Sequence, residues 1–261
     1  MTELGTVRID RPEPGVAILC LHRPAQLNAL VAAMFADIRT ACDQLQADES
    51  VNAIVLTGEG RGFCAGYDLD EARELAQLSP AGMLARQDLA AASVLALRQA
   101  RQPVIAAVNG PAIGGGLSLA LAADVRIASP AARFSAAFVR LGLSAGDMGC
   151  SWHLPRIVGT GHAAELMFTG KTIDADEAVR IGLTNRVVPG QALLPEARAM
   201  ARAIAEFSPF GMTLSKRALQ ANLDAPSLYT ALEVEGRGQA FATRDPGFPE
   251  ALEKIRAQFM R

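Results

Sequence analysis

Short apolar runs alternate with helically spaced apolar positions along most of the chain. Residues 6–9 and 16–21 read as strands, with Arg11-Pro12 and Pro14-Gly15 marking the turn between them. Leu30, Met34, Ile38 and Leu45 recur at helical spacing and predict a helix running to Asp48. Residues 53–56 form an apolar strand run ending at Gly58, residues 83–97 repeat apolar groups at helical intervals, and residues 103–108 return to strand. After a glycine-rich turn and a short helix, residues 124–128 read as a further strand. Such βα units predict an α/β body around a buried sheet. From about Leu193 the pattern changes to helices alone, over 197–207, 211–223, 227–241 and 249–259, punctuated by Ser208-Pro209, Asp224-Ala225-Pro226 and Asp245-Pro246-Gly247. The chain thus divides into a body over residues 1–195 and a helical region over residues 196–261.

Composition narrows the class of protein. Of 261 residues half are apolar and a fifth charged, as in a soluble globular chain of one or two domains. Lys and Arg number 25 against 27 Asp and Glu, a net charge of −2, without the basic footprint that nucleic-acid binding needs. Cys20, Cys42, Cys64 and Cys150 lie far apart with no CxxC pair, which disfavours a disulfide framework or structural zinc and fits a reducing cytosol. The charged start of the chain predicts no secretion signal. Residues 103–123 carry no charge, but Asn109, Gly110, Pro111 and Gly114 to Gly116 break them into strand, loop and helix, so no membrane span is expected.

Three further signals carry little. Gly60-Arg61-Gly62-Phe63-Cys64-Ala65 fits a dinucleotide fingerprint after a strand, yet no second strand with a terminal acid follows about 20 residues later. Gly170-Lys171-Thr172 resembles the end of a P-loop, but Glu165 stands where the first glycine belongs. His22, His153 and His162 lack the partners of a metal site, and packing or surface roles suit them best.

Two segments share a design of apolar strand, small-residue loop and helix: residues 53–69, through Gly58-Glu59-Gly60-Arg61-Gly62-Phe63-Cys64-Ala65-Gly66-Tyr67-Asp68, and residues 103–117, through Asn109-Gly110-Pro111-Ala112-Ile113-Gly114-Gly115-Gly116. Glycine lets a ligand approach the backbone, and a helix start offers unpaired N–H donors. Two converging N–H groups would form an oxyanion hole suited to a thioester enolate. Either loop alone would read as a tight strand-to-helix connection.

Together, with Leu21-His22-Arg23-Pro24-Ala25-Gln26-Leu27-Asn28-Ala29-Leu30, Phe168-Thr169-Gly170, Ala175, Ala178, Gly182-Leu183 and the helical tail, they resemble the crotonase superfamily, also called the enoyl-CoA hydratase/isomerase family, over nearly the whole chain. The resemblance implies a β-spiral core of ββα units, a C-terminal helical trimerisation region, and a homotrimer or dimer of trimers. It implies that the N–H groups of Ala65 and Gly115 hold the thioester oxygen. It also implies that Ala25, Leu27, Ala65, Gly66, Tyr67, Asp68, Gly115 and Phe138 contact the acyl-CoA. Coenzyme A is then part of the substrate, and neither metal nor redox cofactor is expected. The tail carries more apolar residues than so short a segment could bury alone, including Phe207, Phe210, Met212, Leu214, Leu228 and Phe241, which fits such self-association.

The chain departs from the family's hydratases at both catalytic glutamates, where it carries Ser118 and Phe138. One carboxylate remains in the matching region: Asp147, among small residues ahead of a helix. In this it resembles aspartate-dependent members: dienoyl-CoA isomerases, ring-oxepin-forming isomerases of phenylacetate degradation, and 4-chlorobenzoyl-CoA dehalogenase. Without the resemblance Asp147 reads as a helix N-cap, worth ~1 kcal/mol. As an acid/base, its burial among Leu143, Met148 and Trp152 would raise its pKa toward a useful range. The expected activity is a proton or double-bond shift on an acyl-CoA, with Asp147 as shuttle. The alternatives are hydration through water held by Asp147 and Ser118, and a non-catalytic acyl-CoA scaffold. Ser118, Tyr67, Asp70 and Glu71 are the next candidates for proton transfer, and Phe63, Phe138 and Trp152 for an acyl pocket, though packing suits those three rings better.

Overall fold

Unbroken apolar runs mark strands covered on both faces, where the alternation of a half-exposed strand is lost. A computed structural model describes residues 1–259. Strands β1 (Thr2–Leu4), β2 (Val7–Glu13), β3 (Gly15–Leu21), β4 (Val51–Gly58) and β5 (Val104–Val108) lie side by side. The chain then leaves this layer for β6 (Pro111–Ile113) and returns with β7 (Val125–Ala128) beside β5. β8 (Arg133–Ser135) and β9 (Ile173–Asp174) join β6 in a three-stranded second sheet, and β10 (Arg186–Val187) completes the seven-stranded first sheet against β7. The first three strands are antiparallel and β3, β4, β5, β7 and β10 run parallel. The passes through β5–β6 and β7–β8 each add one strand to the first sheet and one to the second, which is the β-spiral of ββα units that the resemblance implies.

The connections are α1 (Ala32–Ala47), α2 (Leu69–Leu75), α3 (Pro80–Gln99), α4 (Gly115–Ala122), α5 (Cys150–Val158), α6 (Thr160–Thr169), α7 (Ala175–Arg180) and α8 (Gly190–Ala205), followed by α9 (Pro209–Asn222), α10 (Leu228–Ala242) and α11 (Phe248–Phe259). Leu30 falls outside α1; it pairs instead with Tyr67 in an isolated bridge, so its helical spacing reflects burial alone. α3 starts earlier than its apolar pattern, because Ser79 caps it by accepting the Gly82 N–H at 3.1 Å.

Period two sorts the strand residues into two cores. Leu19, Leu21, Ile54, Leu56, Val104 and Ala106 pack with Met34, Phe35 and Ile38 of α1 and with Val94 and Leu97 of α3. Val16, Ile18, Cys20, Ala53, Val55, Ile105 and Ala107 pack with Leu193, Ala197 and Ala201 of α8. Each large apolar side chain so buried contributes ~1.5–3 kcal/mol. The expected boundary between residues 195 and 196 falls inside α8, whose i, i+4, i+8 stripe covers the sheet's second face.

α9 docks through Lys216, buried with its Nζ 2.8 Å from both the Gln102 carbonyl and Asp124 Oδ2. On the single chain Phe207, Phe210, Leu228 and Phe241 are exposed, whereas Met212 and Leu214 are half-buried. The uncharged stretch 103–123 becomes β5, β6 and α4, and no helix among the described residues is long and apolar enough to cross a membrane. All four cysteines are buried and unbridged.

Candidate active site

The loop after β4 is held from behind by two asparagines. Asn28, buried in a left-handed conformation (φ 56°), donates through Nδ2 to the carbonyls of Glu59 and Gly62, both at 2.9 Å. Asn109 donates to the carbonyls of Gly58, Gly60 and Gly62 at 2.9–3.2 Å. Arg23 ties the far end of the loop, pairing with Asp68 Oδ2 at 3.0 Å and holding its carboxyl below the usual carboxylate range against the opposing effect of burial. Neither asparagine nor Arg23 stands out as functional in sequence, because the burial and left-handed backbone of Asn28 emerge only in the fold.

These ties decide which amides of the loop are open. The Ala65 N–H donates to the Leu27 carbonyl at 3.0 Å, so the donor expected at Ala65 is already spent and that expectation is corrected. Leu30 N–H donates to Gly66 O, and Asp68 N–H to Leu30 O, at 2.7 and 2.9 Å. Between them the Tyr67 N–H has no acceptor among the described residues. Leu27 therefore acts on the loop's backbone, and Ala25 lies exposed in the short turn before it.

The second loop abuts the first. Cys64 and Ala112 form a parallel bridge, and the loop runs on into α4. A Cβ on Gly116 would lie 2.1 Å from the Cys64 carbonyl oxygen, and one on Gly66 (φ 92°) would lie 2.7 Å from that of Ile113. Only glycine permits this approach at either position. Gly115 opens α4, and its N–H has no acceptor among the described residues, as the geometry of a helix start dictates. A Cβ there would stand 2.9 Å from Met148 Sδ, which brings the amide next to the third element of the site.

That element is the stretch from Leu141 to Gly149. Asp147 Oδ1 accepts the Met148 N–H at 2.8 Å, while its other carboxylate oxygen has no partner among the described residues. Burial pushes the Asp147 carboxyl above its ordinary value, opposed by the Met148 hydrogen bond. Asp147 does not cap α5: the N-cap position is Gly149, and what the Cys150 N–H meets is the Asp147 main-chain carbonyl, at 2.9 Å. Ser118 is fully buried, with its hydroxyl 3.4 Å from that same carbonyl rather than on the carboxylate.

Asp147 lines a cavity of ≈ 710 Å³ with Tyr67, Leu69, Met83, Leu143 and Ser144 among the other walls. Leu143 thus flanks Asp147 as expected, but Trp152 does not. It lines a separate cavity of ≈ 480 Å³ with Met148, His153 and Arg98, and its ring carries Arg156 at 4.2 Å. Five residues of chain, turned at Met148 (φ 47°), send the two side chains to different chambers. Phe63 and Phe138 are core residues, Phe138 beneath Gly114. His153 is driven down to about 4 by burial and then by Arg98, Arg126 and Arg156, so it is neutral at pH 7. Glu71 is engaged by Arg86 and by the Ala32 N–H, and Asp70 by Arg73. Among the described residues no three His, Cys, Asp or Glu cluster as a metal site.

Open amides at Tyr67 and Gly115 beside a carboxylate of raised pKa could stabilise an oxyanion and move a proton. The model of the family described as enoyl-CoA hydratase/isomerase matches residues 11–259. A probable enoyl-CoA hydratase of Mycobacterium tuberculosis is 44% identical over 242 residues, covering 91% of this chain and 85% of the relative. Among solved structures, a probable enoyl-CoA hydratase/isomerase from Mycobacterium abscessus superposes with a TM-score of 0.89 at 41% identity, covering 97% of each chain. A monofunctional enoyl-CoA isomerase from Mycobacterium smegmatis does so with a TM-score of 0.75 at 43% identity, covering 87% of this chain and 98% of its own. On this agreement of loops, spiral and sequence, the chain belongs to the enoyl-CoA hydratase/isomerase family.

Proposed function

We propose that this enzyme binds an acyl-CoA thioester, forms its enolate, and shifts a proton or double bond along the acyl chain. The N–H groups of Tyr67 and Gly115 receive the charge that develops on the thioester oxygen. Asp147 takes a proton from one carbon and returns it to another, and the displaced electron pair moves the double bond between them. The observation that carries this reading is Asp147 itself: a half-buried carboxyl of raised pKa with one open oxygen, on the cavity that Tyr67 also lines. Ser118 and Phe138 occupy the positions where hydratases resembling this chain carry glutamates, which leaves one carboxylate for the proton work. A single carboxylate suffices for a 1,3 shift, whereas hydration must handle a water and a carbon together.

The loop from Ala65 to Asp68, with Ala25 and Leu27 beside it, lies along the coenzyme A portion in this reading, which needs neither metal nor redox cofactor. The exposed tail residues Phe207, Phe210, Leu228 and Phe241 bury against further copies in a trimer or a dimer of trimers, in the cytosol. A panel of 2-enoyl, 3-enoyl and 2,4-dienoyl thioesters followed by absorbance tests the activity. Conversion of a 3-enoyl to a 2-enoyl ester is the expected result. Loss of conjugated absorbance alone would assign hydration, and binding without turnover a scaffold.

A further inference from the structure

Tyr67 enters the proposed chemistry through its main-chain N–H, yet its side chain also lacks a counterpart. Tyr67 lines the same cavity as Asp147, and its ring meets Phe35 edge-on, with centroids 5.7 Å apart. Its hydroxyl is buried and has no hydrogen-bond partner among the described residues. Proteins pair a phenol O–H when they bury it, so an orphan beside a cavity asks for an acceptor. Burial, then the charge of Asp147, pushes the phenol's pKa up, so it stays protonated and has a proton to donate. The other charges that reach it are Arg86 and Glu71, which are paired with each other. Asp147 is the complementary case, with one carboxylate oxygen on the Met148 N–H and the other open. A donor without an acceptor and an acceptor without a donor thus share one cavity.

We propose that the Tyr67 hydroxyl is the positioning donor of Asp147, holding its open carboxylate oxygen, directly or through one water, once an acyl thioester fills the cavity. The inference rests on Asp147 being the acid/base. Tyr67 keeps its proton throughout; the proton that moves travels between substrate carbons on Asp147. Donation to the carboxylate stabilises its charged form and offsets part of the effect of burial. The remaining charged and titratable groups near the pair are Glu71 and Arg73 of α2, Arg86 of α3 and Cys150 of α5, and all stay in place when the hydroxyl alone is removed.

Tyr67→Phe removes that hydroxyl and keeps both the ring and the main-chain N–H. The pH dependence of kcat/KM on the best substrate, measured for wild type, Tyr67→Phe and Asp147→Asn, tests the proposal. The expected result for Tyr67→Phe is a loss of about 10–100-fold in kcat with KM changed by less than about threefold. Its acid limb moves to higher pH by about one unit, because the carboxylate has lost a donor. Replacing Tyr67 by a fluorinated tyrosine strengthens the donor without changing the fold, and moves the limb the other way. An acid limb unmoved by both changes, with Asp147→Asn inactive, overturns the role of Tyr67 alone. Near-full activity in Asp147→Asn overturns the acid–base reading, and this inference with it.

Discussion

The wall of the candidate site that offers amide donors and the wall that offers Asp147 are held in different ways. Behind the first, Asn28 and Asn109 donate five hydrogen bonds into the loop of residues 58–62, and Gly116 lies against Cys64 with no room for a methyl group. The second wall is lightly tied: Leu141 and Leu143 are exposed, nothing approaches within 4 Å of a Cβ placed on Gly142, and the Asp147 side chain accepts one hydrogen bond. The difference suits the two tasks. Donors that receive developing charge work best when fixed before the reaction. A carboxylate that serves two carbons in turn must reach both.

The most severe way to break this contrast is Gly116→Ala. Its methyl group would lie 2.1 Å from the Cys64 carbonyl oxygen, so the two loops must part. Displacing a donor costs ~10²–10³ in turnover, and overpacking adds ~1–3 kcal/mol of destabilisation; steady-state kinetics and thermal melting read the two effects. Asn28→Ala is gentler. It strands carbonyls of Glu59 and Gly62 in a buried site at ~1–3 kcal/mol, which lowers the melting temperature by several degrees, about 2–4 °C per kcal/mol in a chain of this size. Turnover falls as the amide wall loosens. Gly142→Ala sharpens the comparison from the other side. Its φ of 72° makes alanine unfavourable by ~1 kcal/mol, but no neighbour is displaced, so turnover should stay within about threefold of wild type.

The locked wall was the more legible of the two in sequence. Its glycines are dictated by collisions, so Gly66 and Gly116 announce a close backbone approach before any fold is known. The strands were legible for a similar reason, since burial on both faces leaves an uninterrupted apolar run. What could not be read was which amide of the first loop stays open. That is decided by the carbonyls of Leu27 and Leu30, distant in sequence, which take the N–H groups of Ala65 and Asp68 and leave Tyr67 free. The Asp147 wall was legible in its chemistry and less so in its shape. The carboxylate stands out among small residues, but the turn at Met148 that separates Asp147 from Trp152 depends on packing against Gly115. The helix expected over 197–207 starts earlier, at Gly190, because Leu193, Ala197 and Ala201 form one stripe against the second core.

The central claim is that Asp147 moves the proton while open amides hold the enolate. It is tested most directly by following solvent deuterium into the α and γ carbons of the acyl thioester by NMR, with wild type and with Asp147→Asn. The account predicts incorporation by wild type, and a loss of about 10²–10⁴-fold in exchange and turnover in Asp147→Asn with substrate binding little changed. Exchange at the wild-type rate in Asp147→Asn would contradict it.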